Sequence, residues 1–179
     1  MTSLRTANPD DAEAISAIYI PIVRDTPISF EIDPPTVEVM RTRLETTLRR
    51  YPWLVSLDEA GTVNGYVYAT QHRERAAYRW AVDTTVYIRA DSHGQGLGRR
   101  LYTALFEELV TLGYVHACAG ITLPNAGSVG LHEAVGFSLV GVYREVGFKM
   151  GRWRDVGWWQ KTLQQPSEPV EPRAFSSGR

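Results

Sequence analysis

The chain is predicted to fold as a mixed α/β domain, and three observations carry that expectation. Apolar residues recur at helical spacing in some segments and alternate or run together in others. These segments follow one another in the order β-α-α-β-β-β-α-β-α-β-β. A single glycine-rich stretch, Ser92-His93-Gly94-Gln95-Gly96-Leu97-Gly98-Arg99-Arg100, joins a strand-like run to a helix-like one. With 179 residues, 44% of them apolar, the chain is long enough for a sizeable core and short enough for one domain.

Ser3-Leu4-Arg5-Thr6 reads as the first strand. Asn8 is a plausible helix N-cap, Pro9 suits the first helical position, and Asp10 and Asp11 complement the dipole. Ile15, Ile18, Tyr19 and Ile22 then recur at helical spacing, and Pro21 should end or kink that helix. Residues 25–35 hold three prolines and no period, which reads as a loop carrying Phe30. A second helix starts near Thr36 with Val37, Met40, Leu44 and Leu48 on one face, and Tyr51-Pro52 stops it. Trp53 to Leu57 and Val63 to Thr70 flank an Asp58-Glu59-Ala60-Gly61 turn, the pattern of a hairpin. Residues 81–89 form the next strand. After the glycines a helix buries Leu101, Leu105, Leu109 and Leu112, and Gly113 ends it. Val115 to Thr122 is a strand, residues 126–135 a short helix closed by Gly136, and residues 137–149 and 153–162 two final strands. The domain is expected to span 1–163. The remainder, 164–179, has Pro166, Pro169 and Pro172 and little apolar content, which predicts disorder.

Composition narrows the classes. The net charge of −1 gives no reason to expect nucleic acid or an anionic membrane as partner, so a small molecule is the expected ligand. The single cysteine, Cys118, excludes an intrachain disulfide and suits a reducing cytoplasm. Its apolar surroundings predict an inert buried thiol. Four histidines and one cysteine without ligand spacing argue against a metal site. No apolar run reaches the ~20 residues of a membrane span, and Met1-Thr2-Ser3-Leu4-Arg5 lacks the core of a signal peptide.

Strand, glycine-rich turn and helix start together favour a phosphorylated ligand. Glycines let the backbone approach closely, and unpaired N–H groups at the helix start converge on one spot. A dinucleotide fold should place an acidic residue roughly 20 positions on, where this chain has Ala117-Cys118-Ala119. A phosphate loop of the Gly-Lys-Ser/Thr type is excluded because Gly98 is followed by Arg99-Arg100.

His93-Gly94-Gln95-Gly96-Leu97-Gly98 resembles the acetyl-CoA loop of the GNAT N-acetyltransferases, with His93 departing at the first position. Leu123-Pro124-Asn125 and Ser128-Val129-Gly130-Leu131-His132-Glu133-Ala134-Val135-Gly136-Phe137 resemble the later asparagine and helix of that family. Tyr51-Pro52-Trp53-Leu54-Val55, Thr85-Val86-Tyr87, Gly147-Phe148-Lys149 and Trp153-Arg154-Asp155-Val156-Gly157-Trp158-Trp159-Gln160 are similar to its phosphinothricin and methionine sulfoximine acetyltransferase branch. The resemblance runs nearly to Leu163. It implies a mixed, mostly antiparallel sheet, flanked by helices and splayed between the fourth and fifth strands. It also implies acetyl-CoA as acetyl donor and a homodimer, beside the cytoplasmic location and the absence of a metal site read from composition.

The resemblance also assigns residues. Acetyl-CoA would lie along Val86, Tyr87 and Ile88 and on His93, Gly94, Gln95, Gly96, Leu97, Gly98 and Arg99, with Asn125 and Ser128 beside the pantetheine. Asn125 has a second reading as a helix cap. Asp83, where the branch usually carries glutamate, is the candidate base, and a paired or capping carboxylate is the alternative. His132 stands where many relatives carry a tyrosine that protonates the leaving thiolate. Arg73 and Arg75 would meet an acceptor carboxylate or phosphinate, unless they form a solvated cluster with Glu74. Phe30, Tyr78, Thr84 and Tyr102 complete the expected acceptor site. His72 flanks this loop, and His116 reads as structural. Trp153, Trp158 and Trp159 suit either a core or an interface. The expected activity is acetyl transfer to the α-amine of a small amino acid or analogue. An acetyltransferase of protein N-termini and a non-catalytic acyl-CoA sensor remain as alternatives.

Overall fold

In a computed structural model, which describes residues 3–165 and 168–176, seven strands form one sheet in the order β1-β2-β3-β4-β5-β7-β6. The strands are β1 (Ser3–Thr6), β2 (Trp53–Leu57), β3 (Val63–Gln71), β4 (Ala81–Ile88), β5 (His116–Leu123), β6 (Ser138–Lys149) and β7 (Arg152–Thr162). Four helices flank it: α1 (Ala12–Asp25), α2 (Val37–Leu48), α3 (Leu97–Leu112) and α4 (Ala126–Ala134). Every neighbouring pair is antiparallel except β4 with β5. That parallel pair is short. It joins Ala81 to His116, Val82 to Ala117 and Asp83 to Cys118, after which the strands part. The sheet is therefore open at its middle, as expected.

Alternation along the strands builds two cores. Leu54, Val67, Val82, Ala119 and Trp159 pack under α3, whose Leu101, Leu105 and Leu109 are fully buried. Each such leucine contributes about 1.5–3 kcal/mol of burial. Val55, Tyr66 and Trp53 face the other way, against Ile15, Ile18 and Val23 of α1 and Met40 and Leu44 of α2. Asn8 accepts from the Asp10 N–H, Thr36 from Val39 and Asn125 from Ser128, so three helix starts carry side-chain caps. Gly113 closes α3 at φ +98°, a left-handed position that favours glycine.

Of the two outcomes expected at Pro21, an end or a kink, the end does not occur: helix α1 runs on to Asp25. Pro21 and Ala17 are both exposed, so the carbonyl that the proline leaves unpaired faces water. The C-terminal segment has no helix or strand over residues 168–176, yet it docks where composition predicts disorder. Trp80 Nε1 donates to the Val170 carbonyl at 2.8 Å, Arg79 pairs with Glu171 at 2.6 Å, and the Phe175 N–H donates to Arg50 O at 3.0 Å. One aromatic decides this: the Phe175 ring is buried in the core under α3. Residues 166–167 and 177–179 of that segment lie outside the described residues.

Candidate active site

The parting of β4 from β5 places chemistry on both faces of the sheet. Val82 and Thr84 point toward α3, so Asp83 between them points to the α1 side. Cys118, its register partner on β5, lies beside it. On the opposite face Thr84 donates from Oγ1 to the Cys118 carbonyl at 3.1 Å, and the Tyr102 hydroxyl stands 3.4 Å from the same Oγ1. Thr84 thus fastens the fork where the strands separate. It is buried and serves the scaffold rather than an acceptor surface.

On the α3 face Tyr102 and His132 form a pair. His132 Nδ1 lies 2.7 Å from the Ser128 carbonyl, which only accepts, so Nδ1 carries the proton. In the neutral ring Nε2 is then the acceptor, and the Tyr102 hydroxyl donates to it at 2.7 Å. Burial pushes the His132 pKa below its ordinary value, which keeps the ring neutral, although the Ser128 contact opposes the shift. Burial raises Tyr102 far above the ordinary phenol range. Tyr102 is fully buried and does not line an open acceptor wall, which corrects the sequence expectation. His132, 4% exposed, meets the fork only through Tyr102.

On the α1 face His72, the residue after β3, places Nδ1 2.6 Å from Asp83 Oδ1. Burial raises the Asp83 pKa, and the His72 contact opposes that rise. Burial and the Asp83 charge push the Cys118 thiol up to about 11, so it is an inert thiol at neutral pH. His72, Asp83 and Cys118 present donor atoms within 4.8 Å of one another, a cluster that sequence spacing did not suggest. Nδ1 and Oδ1 already bond each other, and Arg73 adds positive charge beside them, so the arrangement reads as a hydrogen-bonded pair next to a thiol.

The acceptor residues come together unevenly. The Arg73 guanidinium lies 5.5 Å from the Trp158 ring centroid, and its Nη1 donates to the His72 carbonyl at 2.9 Å. Tyr78 stands edge-on to His72 at 5.8 Å between ring centroids. Arg75 is exposed at the start of the next 3-10 turn, away from these contacts. Phe30 packs over Gly147, where a side chain would collide with its ring. Its loop is held by Lys149, whose buried Nζ donates to Val23 O, Ser29 O and Glu31 O at 2.6, 2.7 and 2.8 Å. Sequence reasoning missed both Lys149 and the role of His72. The Gly147-Phe148-Lys149 motif pointed to the first, but nothing local in the sequence pairs residues 72 and 83.

The glycine loop fits a phosphate ligand at two of its three glycines. Gly94 and Gly96 have φ of +75° and +72°, and a Cβ on either would face open space. Gly96 is the N-cap of α3, so the unpaired N–H groups of that helix start beside it. Gly98 differs: a Cβ there would lie 2.6 Å from Leu131 Cδ2, so this glycine lets α4 pack on α3. Leu97 is likewise buried. His93 Nε2 donates to the Ile88 carbonyl at 2.9 Å and closes the turn. Gln95 reaches back to Asp91 O at 3.3 Å, and Arg99 is exposed on the first turn of α3. Asn125 caps α4 through its side chain, and Ser128 orients His132 through its carbonyl. The side chains of Val86 and Ile88 pack on the α3 core and Tyr87 on the α1 core, while among the described residues the β4 backbone edge past Asp83 has no strand partner on the β5 side. That edge can accept an extended chain as an added strand.

Comparison with known proteins agrees with this geometry. Residues 4–158 match the family described as acetyltransferase (GNAT) domain. The chain is 38% identical over 166 residues to a phosphinothricin N-acetyltransferase of Streptomyces viridochromogenes, covering 93% of this chain and 90% of that protein. It is 36% identical to an L-methionine sulfoximine/L-methionine sulfone acetyltransferase of Pseudomonas aeruginosa, covering 90% and 94%. A crystal structure of a phosphinothricin acetyltransferase from Sinorhizobium meliloti with AcCoA superposes with a TM-score of 0.91 at 35% identity, covering 96% and 95%.

Proposed function

The chain belongs to the GNAT acetyltransferase family, and from that premise we propose that it acetylates the α-amine of a small amino acid or analogue. Phosphinothricin, methionine sulfoximine and methionine sulfone represent the acceptor class. Acetyl-CoA is the acetyl donor and supplies a thioester whose carbonyl carbon is open to attack. One observation carries the reading: the sheet opens at Asp83 and Cys118, beside a glycine loop whose two left-handed glycines face open space.

In this reading the backbone at Gly94 and Gly96 and the start of α3 hold the pyrophosphate, with Arg99 adding charge, and the free edge of β4 at Val86 and Ile88 aligns the pantetheine. Arg73 receives the acceptor's carboxylate in a planar fork. Holding both reactants together replaces an entropic barrier of several kcal/mol (roughly 7 in ideal cases). The Asp83 site takes one proton from the acceptor ammonium. The freed lone pair forms the new C–N bond as the C–S bond breaks, and the second proton lost by nitrogen ends on sulfur. As charge develops on that sulfur, the Tyr102 O–H, which rests on His132 Nε2, turns its one proton to the sulfur as a hydrogen-bond donor. It is not the proton source, because burial makes its phenol a much weaker acid than a thiol. His132 orients Tyr102 rather than delivering a proton itself.

We also propose one acetyltransferase unit over residues 1–163, working as a cytoplasmic homodimer. The buried free thiol Cys118 suits a reducing compartment. Trp153, 60% exposed on the β6–β7 hairpin with Phe148 beside it, suits a self-contact. Among the described residues no helix is long and apolar enough to cross a membrane. The test is product analysis: protein, acetyl-CoA and methionine sulfone should yield the N-acetyl acceptor and free thiol in equal amounts. Thiol release without acetylated acceptor would overturn the reading.

A further inference from the structure

His72 stands at the fork, and the resemblance gave it no role. Its Nδ1 is bound to Asp83 Oδ1 at 2.6 Å, a distance typical of a charge-assisted bond. The carboxylate only accepts, so Nδ1 carries a proton, and in the neutral ring Nε2 then keeps its lone pair. Among the described residues Nε2 has no hydrogen-bond partner. The ring is fixed edge-on by Tyr78 at 5.8 Å and by Trp158 at 6.3 Å. Its side chain is 15% exposed, less than the 27% of Asp83. The groups facing it are Asp83 from β4, Cys118 from β5, Trp158 from β7, and Arg73 and Tyr78 from its own loop. Arg73 is the cation there. It would hold the acceptor's carboxylate, and in an α-amino acid the ammonium is attached to the neighbouring carbon.

We propose that His72 is the catalytic base, with Asp83 fixing its ring and tautomer. Aspartate is one methylene shorter than the glutamate expected at this position, and the imidazole extends the site's reach by the width of a ring. The step balances simply. One N–H bond of the acceptor ammonium breaks and its proton goes to Nε2. The nitrogen lone pair forms the C–N bond to the acetyl carbon as the C–S bond breaks, the second proton lost by nitrogen ends on the departing sulfur, and the imidazolium is held against the Asp83 carboxylate until solvent takes its proton. Such a group near neutral pH typically gives ~10²–10⁴-fold.

This inference rests on the acetyltransferase reading, and the test separates the two. His72→Gln keeps an N–H donor toward Asp83 but has no basic nitrogen. With acetyl-CoA and methionine sulfone its kcat should fall about 100-fold or more, with acetyl-CoA affinity unchanged by calorimetry. The acidic limb of the kcat/KM profile should disappear with it, and added imidazole should restore part of the rate of His72→Ala. A His72→Gln enzyme within about threefold of wild type, with the acidic limb intact, would overturn the proposal and leave Asp83 as the base. Imidazole-¹⁵N NMR reads the pair without turnover. In the neutral ring of His72 the proton should sit on Nδ1, and Asp83→Asn should weaken that tautomer preference. The opposite tautomer would also overturn the proposal. A wild-type protein with the expected tautomer that acetylates no amine would instead defeat the acetyltransferase reading.

Discussion

The Tyr102 hydroxyl donates to Nε2 of His132 across 2.7 Å because the other ring nitrogen is committed to the Ser128 carbonyl. This bond orders the two residues in function. His132 sets the tautomer and Tyr102 presents the hydroxyl at the fork.

Tyr102→Phe should therefore lower kcat by about 10- to 100-fold, since a hydrogen bond to a developing charge is worth about 1.5–3 kcal/mol. His132→Asn should act through the same hydroxyl, so the double variant should be little worse than Tyr102→Phe alone. Additive losses in a double-mutant cycle would mean that His132 contacts the reaction independently.

The same pair predicts a pH effect on folding. Burial places the folded-state pKa of His132 below its ordinary value of 6.5, so the unfolded chain takes up a proton first as pH falls. Its stability contribution is complete above 6.5 and is lost as pH falls through the lowered folded value. Denaturant unfolding between about pH 7 and 5 should show this slope, and His132→Gln should flatten it. An unchanged slope in the variant would place the effect elsewhere.

The glycine loop separates by position. Gly96→Asn keeps a residue that tolerates the left-handed backbone and sends a side chain into the open space above α3. Acetyl-CoA affinity should fall at least about tenfold, a loss of about 1.4 kcal/mol, with little change in melting temperature. Gly98→Val should do the reverse, since its side chain must displace Leu131, at a cost of about 1–3 kcal/mol in stability. Calorimetry and thermal melts on both variants decide, and equal losses of affinity would contradict the assignment.

Much of this was legible in the sequence. Helix periods, caps and the strand–glycine–helix junction located every strand and α-helix to within a few residues, because those signals are local. Asp83, His132 and Arg73 entered as candidates through the family resemblance, and the structure sets Asp83 at the fork, Arg73 against Trp158 and His132 against Tyr102. What escaped depends on contacts distant in sequence. His72 meets Asp83 only because β3 and β4 pair, and Lys149 meets Val23 O only when β6 passes the end of α1. Phe175 docks where composition alone pointed to solvent. Gly98 looked like its two neighbours in the motif, yet it lies inside α3 without their left-handed backbone and faces Leu131.

Lys149 supports the acceptor side at a distance. Lys149→Met removes the donor to three carbonyls and frees the loop carrying Phe30. Unfolding free energy should fall by about 1–3 kcal/mol, and KM for the amino acid should rise more than KM for acetyl-CoA. A variant as stable as wild type would show that water replaces the ammonium.

The central claim is that this site selects a small amino acid, and the ranking of kcat/KM across acceptors tests it most directly. With acetyl-CoA, thiol release should be faster with methionine sulfone or phosphinothricin than with spermidine or an N-terminal peptide, because Arg73 offers a cation to an acceptor carboxylate. Faster turnover of spermidine or of the peptide would contradict the account.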